Sequence, residues 1–487
     1  MSSATLSIRQ HDPVNGLYRI TLRLKQPDQP EMEAEANIAF ALTDQEQEDL
    51  RWYLEDYLIY PESSEDVQVA QIEAMMRTRG EELYQKVLAD NLDTQQIWFT
   101  IRPQLATLRI EISTGIAEAA SIPWELMRDP ELDSALAVRV QAFVRVQSNP
   151  NIPFVPVPPS PDGRIRLLYV VCRPNGIQDV ALRAIANRLL QGLGEDRARF
   201  DITALRPPTY ECLQKTLTDA KEAGNPFHIV HFDGHGMYTD LGQTSLSSWL
   251  GQLSSLMLGG KSNGKHGFLL FEHPTHDEKM RPVPGEELGQ LLHDCGVPVL
   301  VLNACQSAMH EAIAKPDTAK NVHEEIRGIG SLAQAVVDQG IPAVLGMRYS
   351  VFVVTAAQYI GELYAALAKG RGFGQAASEA RKHLQRNPER WVNLHGRNLQ
   401  DWFVPVIYEA MDRRLLSGDK PLSLNQAPEL DPVQRDTSLM RYVPDSGFIG
   451  RDETLLMLDR AFDNHAIVLL HAYAGQGKTA TAVEFAR

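Results

Sequence analysis

The sequence is poor in cysteine, has no long apolar run and is short of positive charge, and each absence excludes a class of protein. Its four cysteines (Cys172, Cys212, Cys295, Cys305) stand at irregular spacings with no C-x-x-C among them. That argues against a disulfide framework and for free thiols in a reducing compartment, so the cytoplasm is the expected location. No stretch approaches the roughly 18 apolar residues that a membrane helix needs. The opening 25 residues alternate apolar with polar side chains and lack the continuous apolar stretch of a signal peptide. Lysine and arginine total 47 against 62 aspartates and glutamates, a formal net charge of −15. The basic surface of a nucleic-acid or anionic-membrane binder is therefore not expected, and neither is counted among the partners.

What is present is ordinary globular material, 44% hydrophobic and 22% charged over 487 residues, enough for two to four domains. In the first segment, Tyr18, Ile20, Leu22 and Leu24 alternate with polar residues after an Asn15-Gly16 turn signal, the pattern of a half-buried strand. Thr43-x-x-Glu46 predicts a capping box opening a helix whose Leu50, Tyr53, Leu54, Tyr57 and Leu58 form one apolar face. A helix over 71–88 and a strand at Leu108, Ile110 and Ile112 complete an α/β segment over 1–148. Six prolines between Pro150 and Pro161 predict an extended connector over 149–163.

From residue 164 to 411 the pattern alternates strand and helix: strands at 165–171, 200–205, 227–232, 297–303, 341–347 and 403–408, with helices at 181–193, 210–223, 331–338, 352–370 and 374–386. Nearly continuous apolar strands in this alternation predict a mostly parallel sheet covered by helices on both faces, with active groups at the carboxyl ends of its strands. A polar linker over 412–445 precedes a last segment, 446–487.

Two constellations carry chemistry. FHIVHF runs into Asp233-Gly234-His235-Gly236, and VLVLN runs into Ala304-Cys305-Gln306, so an imidazole and a thiol are expected at the tips of two strands. A thiol paired with an imidazole is a competent nucleophile, and the imidazole can protonate a leaving amine. The backbone N–H groups of Gly236 and Cys305, expected in strand-end turns, are the candidate oxyanion donors. His228, His231 and His235 do not read as a zinc site, because strand alternation sets His228 on the face opposite His231, which is expected to be a hydrogen-bonded core residue.

The pieces IPWELMRDP (122–130), HFDGHG (231–236), LNACQSA (302–308), SLAQAVVDQGIPAVLGMR (331–348) and DWFVPVIY (401–408) are spread in this order over about 290 residues. Together they resemble the CHAT family, the bacterial branch of caspase-like peptidases related to separase. The resemblance implies a caspase-like peptidase domain with His235 and Cys305 as its catalytic dyad, no metal in the peptidase site, a protein substrate, and a catalytically inactive caspase-like half over 1–148. Asn303 stands where basic-specific relatives carry aspartate, and Ser307 where the caspase signature has glycine. Arg173, at the end of the first strand, is a candidate receptor for an acidic side chain, with Asn303 beside it in the substrate pocket.

The second constellation is Ala472-Tyr473-Ala474-Gly475-Gln476-Gly477-Lys478-Thr479, a Walker A pattern with alanine in the first glycine position. It follows the apolar stretch AIVLL (466–470), expected to be a strand, and opens a helix. Backbone N–H groups around Gly475 and Gly477 would cradle the phosphates of ATP or another NTP, Lys478 would reach the β and γ groups, and Thr479 would hold Mg²⁺. GFIGRDETLLMLDRAF (447–462) resembles the opening of STAND-type signalling NTPases. No aspartate-ending second strand follows, so only the start of such a module is expected here. The functional expectation is a cysteine endopeptidase restrained by a nucleotide switch that can self-associate, in bacterial signalling or defence. The competing readings are a caspase-like scaffold that assembles without cutting, and a nucleotide switch that uses the α/β domain as an effector-binding surface.

Overall fold

The structure, a computed structural model, describes residues 4–58, 65–114, 122–146, 152–174, 193–240, 265–273, 280–305, 330–349, 352–392, 395–410, 412–416, 448 and 450–486. The expected helix over 181–193 except Leu193, all but the first residues of the 412–445 linker and residues 306–329 lie outside them.

The N-terminal segment opens with β1 (Thr5–Val14), β2 (Leu17–Lys25) and β3 (Met32–Ile38). The expected turn at Asn15-Gly16 joins β1 to β2, which pair antiparallel. Helix α1 (Asp44–Arg51) begins at the expected capping box, with Thr43 accepting from the Glu46 amide and Glu46 accepting from the Thr43 amide. Helices α2 (Asp66–Leu88) and α3 (Leu92–Ile101) follow, then β4 (Arg109–Thr114) and β5 (Ala142–Arg145). Across the proline-rich connector come β6 (Ile165–Val171), β7 (Phe200–Ala204), α4 (Tyr210–Glu222) and β8 (Ile229–Asp240). Next are β9 (Lys265–Glu272), β10 (Met280–Pro284), α5 (Gly285–Asp294), β11 (Val299–Cys305), a helix α6 over 330–338, and β12 (Ala343–Met347). Helices α7 (Val353–Ala368) and α8 (Phe373–Arg386), the hairpin β13 (Glu389–Val392) and β14 (His395–Asn398), and β15 (Pro405–Glu409) close the unit. The last segment holds α9 (Asp452–Asn464) and α10 (Lys478–Ala486).

Among the described residues, strands from both sides of the connector form one sheet of 13 strands, in which β12 meets β15, β15 meets β5, and β5 leads to β4 and β1. Its centre, β7-β6-β8-β11-β12, is parallel as the apolar runs predict. Around that centre, β9 and β10 run antiparallel to their neighbours, and β15 runs antiparallel to β12 and parallel to β5. Apolar continuity reports burial on both faces and not strand direction, so β15 was legible as a strand but not as an antiparallel one.

The two faces carry two cores. Leu168, Val170, Val230, Phe232, Leu300 and Leu302 pack toward α4, α5 and α6, whose Leu213, Leu288 and Val336 join them. Leu167, Tyr169, Ile229, Val299, Val301 and Leu345 share the opposite core with Tyr359, Leu363 and Tyr364 of α7.

The motif IPWELMRDP holds the N-terminal strands to the rest of the sheet. Glu125 is buried, with Arg145 of β5 at 3.1 Å and Arg348, just past β12, at 3.7 Å. Burial acts to raise the Glu125 pKa, yet Arg145, Arg348 and Arg381 outweigh it and leave the carboxyl lowered, hence charged. Arg109 of β4 makes a second such bridge, 2.5 Å from Glu409 of β15.

Candidate active site

Strand β8 does not end at His235 as the sequence suggests. It continues to Asp240 and changes neighbours on one side, pairing with β6 through Asp233 and with β9 from His235 onward. On its other side it pairs with β11 from Ile229 to His235. His235 is therefore the last position opposite β11 and the first opposite β9, at the carboxyl edge of the parallel strands. Gly236 lies inside the strand, opposite Leu269 of β9, and not in a turn. The glycine at 234 has a packing cause. A Cβ there would lie 2.9 Å from the Phe232 ring and 3.1 Å from Cβ of Cys172, so only glycine lets β8 pass beneath the end of β6.

The backbone register brings the two expected groups together: Cys305 is the partner of His235, Ala304 of Gly234 and Asn303 of Asp233. Parallel strands lie about 4.8 Å apart at one register. His235 is 5% exposed. The described part of Cys305 is its backbone; its thiol lies outside the described residues.

Beneath the pair, on the same face of β8, lies a charged core that the sequence reading did not assign. Asp233 is 3% exposed. Its carboxylate accepts from the Arg173 guanidinium (3.0 Å), the Tyr169 hydroxyl (3.0 Å) and the Asn303 side-chain amide (3.2 Å). Arg173 also donates to the carbonyls of Cys172 and Asp233, both at 2.9 Å. Burial acts to lower the Arg173 pKa, but Asp233 reverses that and leaves it raised. The Tyr169 hydroxyl is pushed well up by burial and then by Asp233, so it stays a neutral donor.

Arg173 is thus a buried partner of Asp233, where the sequence reading has it receive an acidic side chain. Asn303 flanks Asp233 from the other side. The signal that could have found Asp233 is its spacing, two residues before His235 and so on the same side of the strand.

His231 completes the row. Its Nδ1 lies 2.9 Å from the Tyr364 hydroxyl of α7 and its ring meets Tyr169 edge-on at 4.8 Å. Burial lowers its pKa to about 4, so it is the neutral, hydrogen-bonded core residue expected. His228 faces away, accepting at Nδ1 from the Arg166 amide at 3.0 Å.

Above the end of β6, Glu272, the last residue of β9, accepts from the Arg173 backbone amide at 2.8 Å. Glu272 also meets Arg460 of α9. Neither was assigned from sequence, because their meeting depends on how the last segment lies against the sheet.

In that segment, Gly475 and Gly477 take the left-handed conformation (φ +77° and +72°) that the glycine loop requires. Lys478 opens α10 and its ammonium donates to the carbonyls of Ala472 (2.8 Å) and Tyr473 (2.9 Å), so the cation lies over the loop. Thr479 follows, exposed, in the first turn of α10. This loop and helix N-terminus fit a phosphate chain. The stretch AIVLL is not a strand: Ile467 and Leu469 are 89% and 83% exposed, and no described strand pairs with it. A strand is made by its neighbours, and apolar composition alone does not supply one.

Among the described residues no group of histidine, cysteine and carboxylate side chains could hold a metal ion, and no helix is long and apolar enough to cross a membrane. Residues 77–409 match the family described as CHAT domain. No curated protein matches the chain. Among solved structures it is similar to a chain of the Saccharomyces cerevisiae separase–securin complex, with 11% sequence identity and a TM-score of 0.38. That similarity covers 83% of this chain and 30% of the other, so this chain spans about a third of its length.

Proposed function

The chain belongs to the CHAT domain family, and from that premise we propose that it is a caspase-like cysteine peptidase with Cys305 as nucleophile and His235 as its acid and base. The observation that carries the reading is the shared register of these residues on adjacent parallel strands. In that geometry the Cys305 sulfur attacks the scissile carbonyl and its electron pair moves onto oxygen. His235, having taken the thiol proton, passes it to the leaving nitrogen as the C–N bond breaks. Water, deprotonated by the same imidazole, then releases the acyl group. The Cys305 amide is the remaining strand-end donor for the oxyanion; Gly236, inside a paired strand, is the weaker candidate.

Substrate recognition follows from the same core. Because Asp233 already balances Arg173, an acidic side chain gains little there. Arg173 acts in this reading as a positioning residue, and Asn303, 4% exposed and donating to Asp233 at 3.2 Å, belongs to the same buried core and not to an open substrate pocket. The substrate is a protein.

The last segment is read as the start of a STAND-type NTPase. Gly475, Gly477 and Lys478 would hold the phosphates of ATP or another NTP and Thr479 its Mg²⁺; the bound nucleotide would supply a switch between conformations or assemblies. Arg451 ties α9 to this loop, donating to the Gln476 carbonyl at 2.6 Å. The proposed setting is a bacterial signalling or defence system in the cytoplasm, with self-association through the NTPase module.

The deciding experiment is a peptide-library cleavage profile of the protein beside Cys305→Ala. Cleavage that is present in the first and absent in the second supports the peptidase; equal profiles, or none at all after nucleotide addition, favour the non-cutting scaffold.

A further inference from the structure

Helix α9 lies against the carboxyl edge of the sheet through charged groups that the peptidase chemistry does not use. Asp459, 5% exposed, is 2.5 Å from the Arg206 guanidinium. Arg460 meets Glu272 and is held on its own helix by Asp459 (2.7 Å) and Asp463 (3.9 Å). Leu455 and Leu458 are buried on the same helix. Between the two anchors sits the end of β6: Glu272, held from above by Arg460, accepts from the Arg173 amide below.

Glu272 is mostly buried, with 16% of its side chain exposed, and burial raises its pKa. Arg460 is the cation that opposes this. Without it, a carboxylate in that place becomes costly, and the group either takes a proton or turns to water. Either outcome weakens the bond to the Arg173 amide, and Arg173 is what fixes Asp233, two residues before His235.

We infer that α9 is a strut for the candidate site: Arg460 holds Glu272, Glu272 holds the Arg173 backbone, and Arg173 holds Asp233 beside His235. The strut's far end touches the glycine loop through Arg451 on the Gln476 carbonyl, and Phe462 stacks at 5.3 Å on Phe485 of α10, the helix that follows the loop. A shift of that loop therefore has a route to the sheet edge. The strut rests on the peptidase reading only for its consequence, that docking of α9 keeps the site assembled.

The test uses the full chain carrying Arg460→Ala or Arg460→Lys, followed by amide hydrogen exchange over 170–173 and 231–236. Loss of a bond to a charged acceptor is expected to speed exchange of the Arg173 amide by about tenfold or more in Arg460→Ala. Exchange over 231–236 should rise with it. Arg460→Lys, which keeps the cation, should stay close to the parent chain in both. Exchange that rises only within α9, or nowhere, overturns the strut. So does an equal rise in both variants, which would mean that shape and not charge holds the helix. If the exchange changes appear as expected and the parent chain cleaves no peptide, the strut stands and the peptidase reading fails. If the parent cleaves and Arg460→Ala cleaves equally despite the exchange changes, the strut does not serve the site.

Discussion

The Arg173 guanidinium lies 3.0 Å from the Asp233 carboxylate with 2% and 4% of the two side chains exposed, an ion pair almost wholly out of water. Such pairs are costly to break from one side, because the partner stays buried with its charge unmatched. Arg173→Ala or Asp233→Ala is therefore expected to lower the unfolding free energy by about 3–5 kcal/mol. Arg173→Met combined with Asp233→Leu should lose clearly less than the two single effects added together. Denaturant titrations of the three variants check this, and simple additivity would contradict it.

The dyad makes a different demand, since its members act as a unit. Cys305→Ala and His235→Ala are each expected to reduce peptide cleavage by at least about a thousandfold, and the double variant to fall little further. Measurement of kcat/KM for the three decides it. Additive losses would mean that the residues do not share a step.

A similar bridge fastens the two parts of the sheet. Glu125→Gln removes the charge that faces Arg145 at 3.1 Å and Arg348 at 3.7 Å, leaving those guanidiniums buried without it. A loss of about 3–5 kcal/mol is expected. Loosening should show first as faster amide exchange in β5 and β15, which meet at Arg145 and Tyr408.

Acid should destabilise the protein through its buried imidazoles. His228 and His231 are both lowered from 6.5 to about 4, chiefly by burial. Between those values the unfolded chain binds more protons than the folded one, so stability falls as the pH drops from about 6.5 toward 4. The slope approaches about 1.4 kcal/mol per pH unit for each ring. Denaturant midpoints measured across that range should flatten in a His228→Asn, His231→Phe variant. An unchanged slope would assign the effect to other groups.

The glycine loop is tested by binding rather than by turnover. Titration with a fluorescent ATP analogue and Mg²⁺ should give saturable binding that Lys478→Ala weakens by at least about tenfold, because the ammonium is the loop's cation. Thr479→Ala should remove most of the Mg²⁺ dependence. Binding unchanged in Lys478→Ala would refute the Walker A reading.

Local signals in the sequence reached far into the fold. The Thr43–Glu46 capping box, the Asn15-Gly16 turn, the buried set Leu108, Ile110 and Ile112, and the apolar runs of β6, β8, β11 and β12 were all legible. Each depends on residues close together in the chain and on one periodicity. The pairing of His235 with Cys305 was legible only as a conditional, because the strands had to prove neighbours. The antiparallel β9 and β10 were not foreseen, and AIVLL was read as a strand that does not form.

The sequence by itself determined the capped start of α1, the apolar strands of the parallel centre, the two chemical motifs and the family that their order resembles. Tertiary structure alone decided that β8 runs past His235, that Arg173 is committed to Asp233, and that Glu272 is shared between Arg173 and Arg460. The reason is physical. Propensity and periodicity act within a few residues, whereas the partner of a buried charge or the neighbour of a strand is chosen by burial across segments as distant as 60 to 188 positions.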